Sequence, residues 1–429
     1  MCDAEELLMR IRESVHIDSN RIIRFDNVDS ISLFDNFRSC VIESVVGNDI
    51  STIYHWISHT KKILDELTKL LNIPGYTFSK EFSSFLLDPF QHLKKKIFNY
   101  AYDLVRKGMG LEDFYSKVLQ AITTSIRTNL RSCYQIWALA SIMKILGGMG
   151  YTIAYPENRY LNFDRSGKQK LGVIPPNFIL FNIGKGYLSF FHEAPRPLSW
   201  EDTSDLQKVW GLYTALRLDV MVYSGRVLDI VNLSNNPPIE RPQVILEFKE
   251  LEDWWKRARD LRGYFRKPLT AEEWKSKWIE GLFEGLGEAM SIKKTEVRRR
   301  IEEGSSLRVK EYQLILLYKS TYKPNRIVLV SRKEIPANIK KWLLDAGIDV
   351  IDSVEFNEMK LEDVAQILDG FVSFGSVNNV VIEVSRDVAK KLEDIRRLLG
   401  FKDLNEVLDY LFKVFNAKSG GNDNNFLYK

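Results

Sequence analysis

Asp219, Glu247 and Lys249 are the residues of this 429-residue chain whose types and spacing could do chemistry. Glu247 and Lys249 stand two apart in the apolar run VILEFKE, Val244–Glu250. In a strand, residues two apart emerge on the same face, so this pair shares one face while Val244, Leu246 and Phe248 pack on the other. Asp219 interrupts Leu218–Val222, which otherwise reads as a buried strand. Charged side chains are seldom buried unless they are paired or bound to metal, so two apolar strands that each give a position to an acid need a reason. A hard divalent cation is one. Mg²⁺ prefers oxygen ligands, often one or two carboxylates with waters and phosphate oxygens. A neighbouring ammonium would stabilise negative charge growing on a phosphate. The alternative is an ordinary sheet in which Asp219 and Lys249 form a buried ion pair and Glu247 lies at a strand end.

The elements that must position these residues follow from periodicity. Residues 1–130 place apolar side chains at three- and four-residue intervals and predict a helical N-terminal domain. An apolar helix, Tyr134–Leu146, comes next, followed by a run rich in Gly, Pro and Asn to about Asn182. Three strand-like runs follow: GYLSFFHE, LRLDVMVYS and QVILEFK. A helical stretch is predicted from about Leu251 to Tyr318, broken near Lys267-Pro268 and Gly304. Then come RIVLVS (strand), PANIKKWLLDAG (helix) and IDVIDS (strand). This order predicts an α/β domain over 131–370, with helices packed on a mixed sheet.

The pattern L-D…E-F-K in this element order resembles the PD-(D/E)xK, or restriction-endonuclease-like, nuclease superfamily over roughly Cys133–Leu368. The resemblance implies that Asp219 and Glu247 hold Mg²⁺ (Mn²⁺ as a substitute), that the Phe248 backbone carbonyl is a further ligand, and that Lys249 assists the attacking water. It also implies hydrolysis of phosphodiester bonds, with DNA favoured as substrate. Related nucleases often carry a glutamate in a Tyr-x-x-Trp helix. Here that position is Gln135, and Leu218 stands where a proline often precedes the first acid. Glu193, at the end of SFFHE, is a further candidate acid.

Basic and aromatic residues follow the proposed site. Arg257, Arg259, Arg262 and Arg266 could contact phosphates, with Trp254, Trp255 or Tyr264 against a base or sugar. The competing reading is an amphipathic helix with tryptophans in the core. KKTEVRRR (Lys293–Arg300) reads first as a solvated basic face. His55 and His59 stand four apart with no evident third ligand, which favours a packed or surface pair over a metal site. No GxxxxGK[ST] or GxGxxG occurs, so an ATP-driven motor would have to be a separate partner.

Residues 376–417 form one strand, a helix, a Gly-containing turn and a second helix, followed by a tail rich in Gly and Asn over 418–429. The unit resembles a ribbon-helix-helix domain, which implies a shared core between two chains and hence a homodimer. Val380, Ile382 and Val384 would face that core with Val388, Leu392, Ile395, Leu399, Leu408 and Leu411. The other strand face, Asn379, Val381, Glu383 and Ser385, suits base reading poorly, which favours dimerisation over DNA binding.

Composition sets the outer bounds. Hydrophobic residues make up 45% of the chain and charged residues 28%, enough to build cores. A net charge of +4 leaves any nucleic-acid interface to local patches. Cys2, Cys40 and Cys133 are far apart and odd in number, which predicts no disulfide framework and a reducing, cytoplasmic setting. The most apolar stretch contains Lys144 and falls short of the roughly 20 apolar residues of a membrane span. The sequence therefore predicts a Mg²⁺-dependent nuclease with three parts. The rivals are a non-catalytic DNA-binding protein and a dimeric scaffold built on a degenerate nuclease fold.

Overall fold

A computed structural model of the chain describes residues 3–25, 27–47, 49–165, 174–194, 218–230, 240–260, 286–303, 305, 308–375 and 384–419. The chain divides into two compact units, residues 1–376 and 377–429.

The first unit opens on helices α1 (Ala4–Ser14), α2 (Val28–Val46), α3 (Asp49–Leu71), α4 (Lys80–Leu87), α5 (Pro89–Lys96), α6 (Phe98–Val105) and α7 (Leu111–Gly148). Short strands β1 (Val15–Ile17), β2 (Ile23–Phe25) and β3 (Gly75–Thr77) lie between them. Helix α7 is 38 residues long. Its first half buries one stripe, Phe114, Val118 and Ile122, at helical spacing. From Cys133 to Met143 every residue is buried, the signature of a helix enclosed on all sides. Helix α3 packs against it closely, and a Cβ added at Gly147 would come within 2.9 Å of Leu71. The boundary expected at 130/131 falls inside α7. The apolar faces of the N-terminal helices and one face of the sheet share α7, so a single hydrophobic cluster runs from Leu8 to Leu368.

A seven-stranded mixed sheet forms the middle of this unit. Its strands are β4 (Thr152–Tyr155), β6 (Phe178–Asn182), β7 (Gly186–His192), β8 (Val220–Ser224), β9 (Val244–Lys249), β12 (Arg326–Ser331) and β13 (Asp349–Ile351), in the order β13-β12-β9-β8-β7-β6-β4. Strands β9, β12 and β13 run parallel, and the pairs from β9 through β8, β7 and β6 to β4 are antiparallel. Alternate residues supply two cores. Val220, Val222, Val244, Leu246 and Phe248 face the α7 side. Met221, Tyr223, Ile245 and Leu329 face the other side. Helices α8 (Lys294–Glu302), α9 (Glu311–Tyr322) and α10 (Ala337–Asp345) contribute to that second core, and α11 (Glu362–Asp369) returns to the first.

Several elements differ from expectation. Strand β5 (Tyr160–Asn162), with β4 and β6, lies in the stretch read as irregular. These strands are short and flanked by prolines, one of them in a cis peptide at Tyr155-Pro156, so turn residues mask their strand pattern. Of the helical stretch expected after Leu251, the described residues 251–260 hold one short turn, Trp254–Lys256, and strand β10 (Ala258–Asp260), which pairs with β11 (Arg308–Lys310); residues 261–285 lie outside the described residues. The long-range pairing of Ala258–Asp260 overrides local helical spacing. The basic run at Lys293–Arg300 largely forms α8, where Arg299 and Arg300 pair with Glu296 and Glu303. His59 stacks flat on Phe356 at 4.5 Å beside His55, so the histidine pair is packed. Cys133 is free and buried, while Cys40 is disulfide-bonded, a link its spacing did not suggest. Among the described residues no helix is long and apolar enough to cross a membrane.

The second unit contains helices α12 (Arg386–Leu399) and α13 (Leu404–Ser419). Ser385 caps α12 by accepting from the Val388 N–H, and Gly400 ends it in a left-handed conformation. Val380, Ile382, Asn379, Val381 and Glu383, assigned to a strand from the sequence, lie outside the described residues.

Trp137 is 1% exposed and meets Tyr134 and Phe356 at ring distances of 5.7 and 5.1 Å. Trp137→Ala is therefore expected to destabilise the first unit by about 3–5 kcal/mol in chemical denaturation, and a loss below about 1 kcal/mol would contradict this packing.

Candidate active site

Asp219 lies one residue before β8. Val220 pairs with Leu246, so continuing the antiparallel register places Asp219 opposite Glu247. Glu247 has the parity of Ile245 and leaves the sheet on the second-core face, whereas Asp219, in the bend before β8, turns its carboxylate to Arg131 and Gln135 of α7. Each is 1% exposed. The sequence reading that put Glu247 and Lys249 on one face, with Leu246 and Phe248 on the other, agrees with this arrangement.

Side-chain and backbone donors from α7 and β9 meet these carboxylates. Asp219 Oδ1 accepts from Arg131 Nη2 at 2.8 Å and from Gln135 Nε2 at 2.7 Å, and Oδ2 accepts from the Phe248 N–H at 2.8 Å. Arg131 and Gln135 are four apart on α7, on one helix face. Glu247 Oε1 accepts from Lys249 Nζ at 3.0 Å, and its Oε2 faces the Asp219 N–H at 3.4 Å. Lys249 Nζ also donates to Glu311 Oε2 at 3.1 Å and lies 5.7 Å from the centre of the Trp254 ring. Glu311, the first residue of α9, accepts from Arg259 of β10 at 3.1 Å. The indole of Trp254 is fixed in turn by a 3.0 Å bond to Ser331 Oγ on β12.

Burial and charge act in opposition here. Burial, and then the charge of Asp219, push the Glu247 carboxyl up to about 7. Burial disfavours the Lys249 ammonium, but Glu247, Glu311 and Asp219 outweigh it and hold the group protonated well above the ordinary lysine range. Burial also opposes ionisation of Glu311, yet Lys249 and Arg259 bring its carboxyl down to about 2. Asp219 above all keeps Arg131 charged, and the charges of Glu193, Glu250 and Glu247 act on it in the same direction.

Glu193 lies at the end of β7 with a left-handed φ of 42°. Its N–H donates to the Asp219 carbonyl at 2.8 Å, and its carboxylate accepts from Arg165 Nε. An open cleft of about 390 Å³ is lined by Arg131, Gln135, Lys249 and Glu311 of this network, while Asp219 and Glu247 are not among its lining residues. Its wall includes six cations, Arg127, Arg131, Arg165, Lys249, Arg257 and Arg259, against the acids Glu193, Glu250 and Glu311. Arg257 and Arg259 line this cleft, and each meets a carboxylate, Asp253 and Glu311 respectively. Arg262, Arg266 and Tyr264 lie outside the described residues.

Sequence reasoning missed Arg131, Glu311, Arg165 and Arg127. Arg131 was recoverable, because it shares the helix face of Gln135 one turn earlier. Glu311 and Arg165 carry no local signal, since only the fold brings them to the cleft.

The donor set suits a hard cation. Two carboxylates stand opposite one another, and the Phe248 carbonyl leaves the strand along the same edge as its N–H. Among the described residues no group of three or more His, Cys, Asp or Glu side chains is placed to hold a metal ion. The Arg131 guanidinium pairs with Asp219 at 2.8 Å.

Glu247 binds its proton more tightly in the folded chain than at its ordinary value of 4.5, so wild-type stability falls as pH rises from about 4.5 to about 7. Glu247→Gln removes this titration. In metal-free chemical denaturation, the stability of the variant relative to wild type is expected to rise between pH 5 and pH 8; a difference that stays flat would contradict the raised carboxyl. No protein-family model, curated protein or solved structure matches this chain, so its chemistry is read from these side chains alone.

Proposed function

We propose that this protein is a divalent-metal-dependent nuclease of the restriction-endonuclease-like type, which hydrolyses phosphodiester bonds, with DNA as the favoured substrate. The observation that carries the reading is the placement of Asp219, just before β8, beside Glu247 of β9, with Glu247 bonded to Lys249, which lines a cation-rich cleft. A bound Mg²⁺ or Mn²⁺ supplies a water of lowered pKa and neutralises charge on the phosphate. Asp219, Glu247 and the Phe248 carbonyl would hold it, while the Glu193 carboxylate accepts from Arg165. Lys249 stays protonated, so its part is that of a fixed donor beside the reacting phosphate rather than a base. Glu311 and Trp254 restrict the ammonium to that place. Gln135 orients the Asp219 carboxylate. Arg257 and Arg259 supply positive charge along the wall for a phosphate backbone.

A second reading draws on the saturation of Asp219, whose two oxygens meet three internal donors. It makes the chain a non-catalytic DNA-binding protein or a scaffold on a degenerate nuclease fold. Incubation of plasmid and single-stranded DNA with Mg²⁺ or Mn²⁺ separates the two. Cleavage is expected for wild type, and Lys249→Ala is expected to lower its rate by about 100- to 1000-fold. Tight, salt-sensitive binding with no cleavage by wild type would establish the second reading instead.

The second unit is proposed as a homodimerisation module. By itself it leaves Val388, Leu399 and Leu408 exposed and Leu392, Ile395 and Leu411 only half-buried, which is more apolar surface than two helices of this size can cover alone. Sedimentation of the full chain is expected to give about twice the 49.9 kDa protomer mass, and a monomer at micromolar concentration would remove this part.

A further inference from the structure

We propose that Arg131 is a two-position side chain that couples cation binding to phosphate binding in the cleft. It neutralises the acidic cluster when no divalent cation is bound there, and turns outward to a phosphodiester when one is. This rests on the reading that Asp219 and Glu247 hold a cation.

Three observations carry it. Arg131 and Gln135 both donate to Asp219 Oδ1, and an ionised carboxylate oxygen offers about two lone-pair sites. That oxygen is therefore full, and a cation reaching it must displace one donor. Both side chains line the cleft, but Gln135 is 2% exposed whereas the Arg131 side chain is 40% exposed. Arg131 is thus the donor with somewhere to go. The cleft also offers it a compatible neighbourhood. Arg127 and Thr128 lie one turn earlier on the same face of α7 and line the same wall, and Arg127 is exposed. A guanidinium released there presents its planar fork to a phosphate and can bind it through two parallel hydrogen bonds.

The charge argument points the same way. The charges of Asp219, Glu193, Glu250 and Glu247 all act on Arg131, so in the absence of a cation it offsets those acids. A divalent cation between Asp219 and Glu247 would repel the guanidinium and take over its task. Arg131 would then keep its full charge with its main partner engaged elsewhere, and a phosphate is the nearest anion a substrate brings. Linkage makes the coupling reciprocal: a cation tightens phosphodiester binding by the same factor by which phosphodiester tightens cation binding.

The test measures Mn²⁺ binding to the full chain by electron paramagnetic resonance, and oligonucleotide binding by fluorescence anisotropy. The oligonucleotide has a phosphorothioate backbone that resists cleavage. Wild type is expected to bind each ligand about tenfold more tightly in the presence of the other, within the usual range for linked sites. Arg131→Ala is expected to bind Mn²⁺ alone about tenfold more tightly than wild type, with the coupling factor reduced to about one. Should removal of the side chain prevent folding, Arg131→Gln keeps a donor for Oδ1 without the charge, and the same loss of coupling is expected. Unchanged Mn²⁺ affinity with coupling intact in either variant would overturn the proposal and leave the cation site standing. Failure of wild type to bind Mn²⁺ with or without oligonucleotide would overturn both, and would make Arg131 a permanent counterion.

Discussion

Two buried carboxylates on neighbouring strands repel one another, and each loses the hydration that would otherwise make its charge tolerable. Asp219 and Glu247 stand in this relation at one end of the sheet. Much of the surrounding architecture answers that constraint. Helix α7 crosses the end of β8 at a height that delivers Arg131 and Gln135 to one Asp219 oxygen. The other oxygen draws the Phe248 N–H of β9. Lys249 bridges Glu247 to Glu311, and Glu311 is balanced by Arg259. Segments far apart in the chain thus close a single charge network.

The hydrophobic organisation makes that network possible. Strands β8 and β9 are buried on both faces, with one face against the α7 cluster and the other against the cluster that includes α9. Side chains at the end of such strands have no route to bulk water except along the sheet edge, and the cleft lies there. Enclosure of α7 from Cys133 to Met143 holds its functional face in register with the strands. Phe356, after β13, packs against Trp56, Tyr134 and Trp137, which ties the parallel edge of the sheet to the same helices. Rigid support of this kind suits a site whose groups must stay within hydrogen-bond reach of one another.

The electrostatic consequences follow from distance and burial. Glu247 is the group whose protonation changes near neutral pH, because it has lost solvent and faces a second carboxylate. Lys249 stays charged despite deep burial, because three carboxylates act on it. The wall of the cleft carries more cations than acids, although the chain as a whole is only slightly basic at +4.

The sequence by itself determined the central strands and the faces their residues occupy. The alternation in VILEFKE assigns Glu247 and Lys249 to one side, and an acid within the run LDVMV marks Asp219, because side-chain direction in a strand is a local property of the backbone. The helical character of the first 130 residues, the strand–helix–strand near residue 350 and the place of Gln135 on its helix were legible for the same reason. Strands β4, β5 and β6 were not, since prolines and short length hide alternation, and neither was β10, whose partner lies some fifty residues away. The tertiary structure alone decided that the N-terminal helices and the sheet share one core, that Glu311 meets Lys249 and Arg259, and that Arg165 meets Glu193. Those encounters depend on helix crossing and long-range pairing, which a chain read one window at a time does not encode.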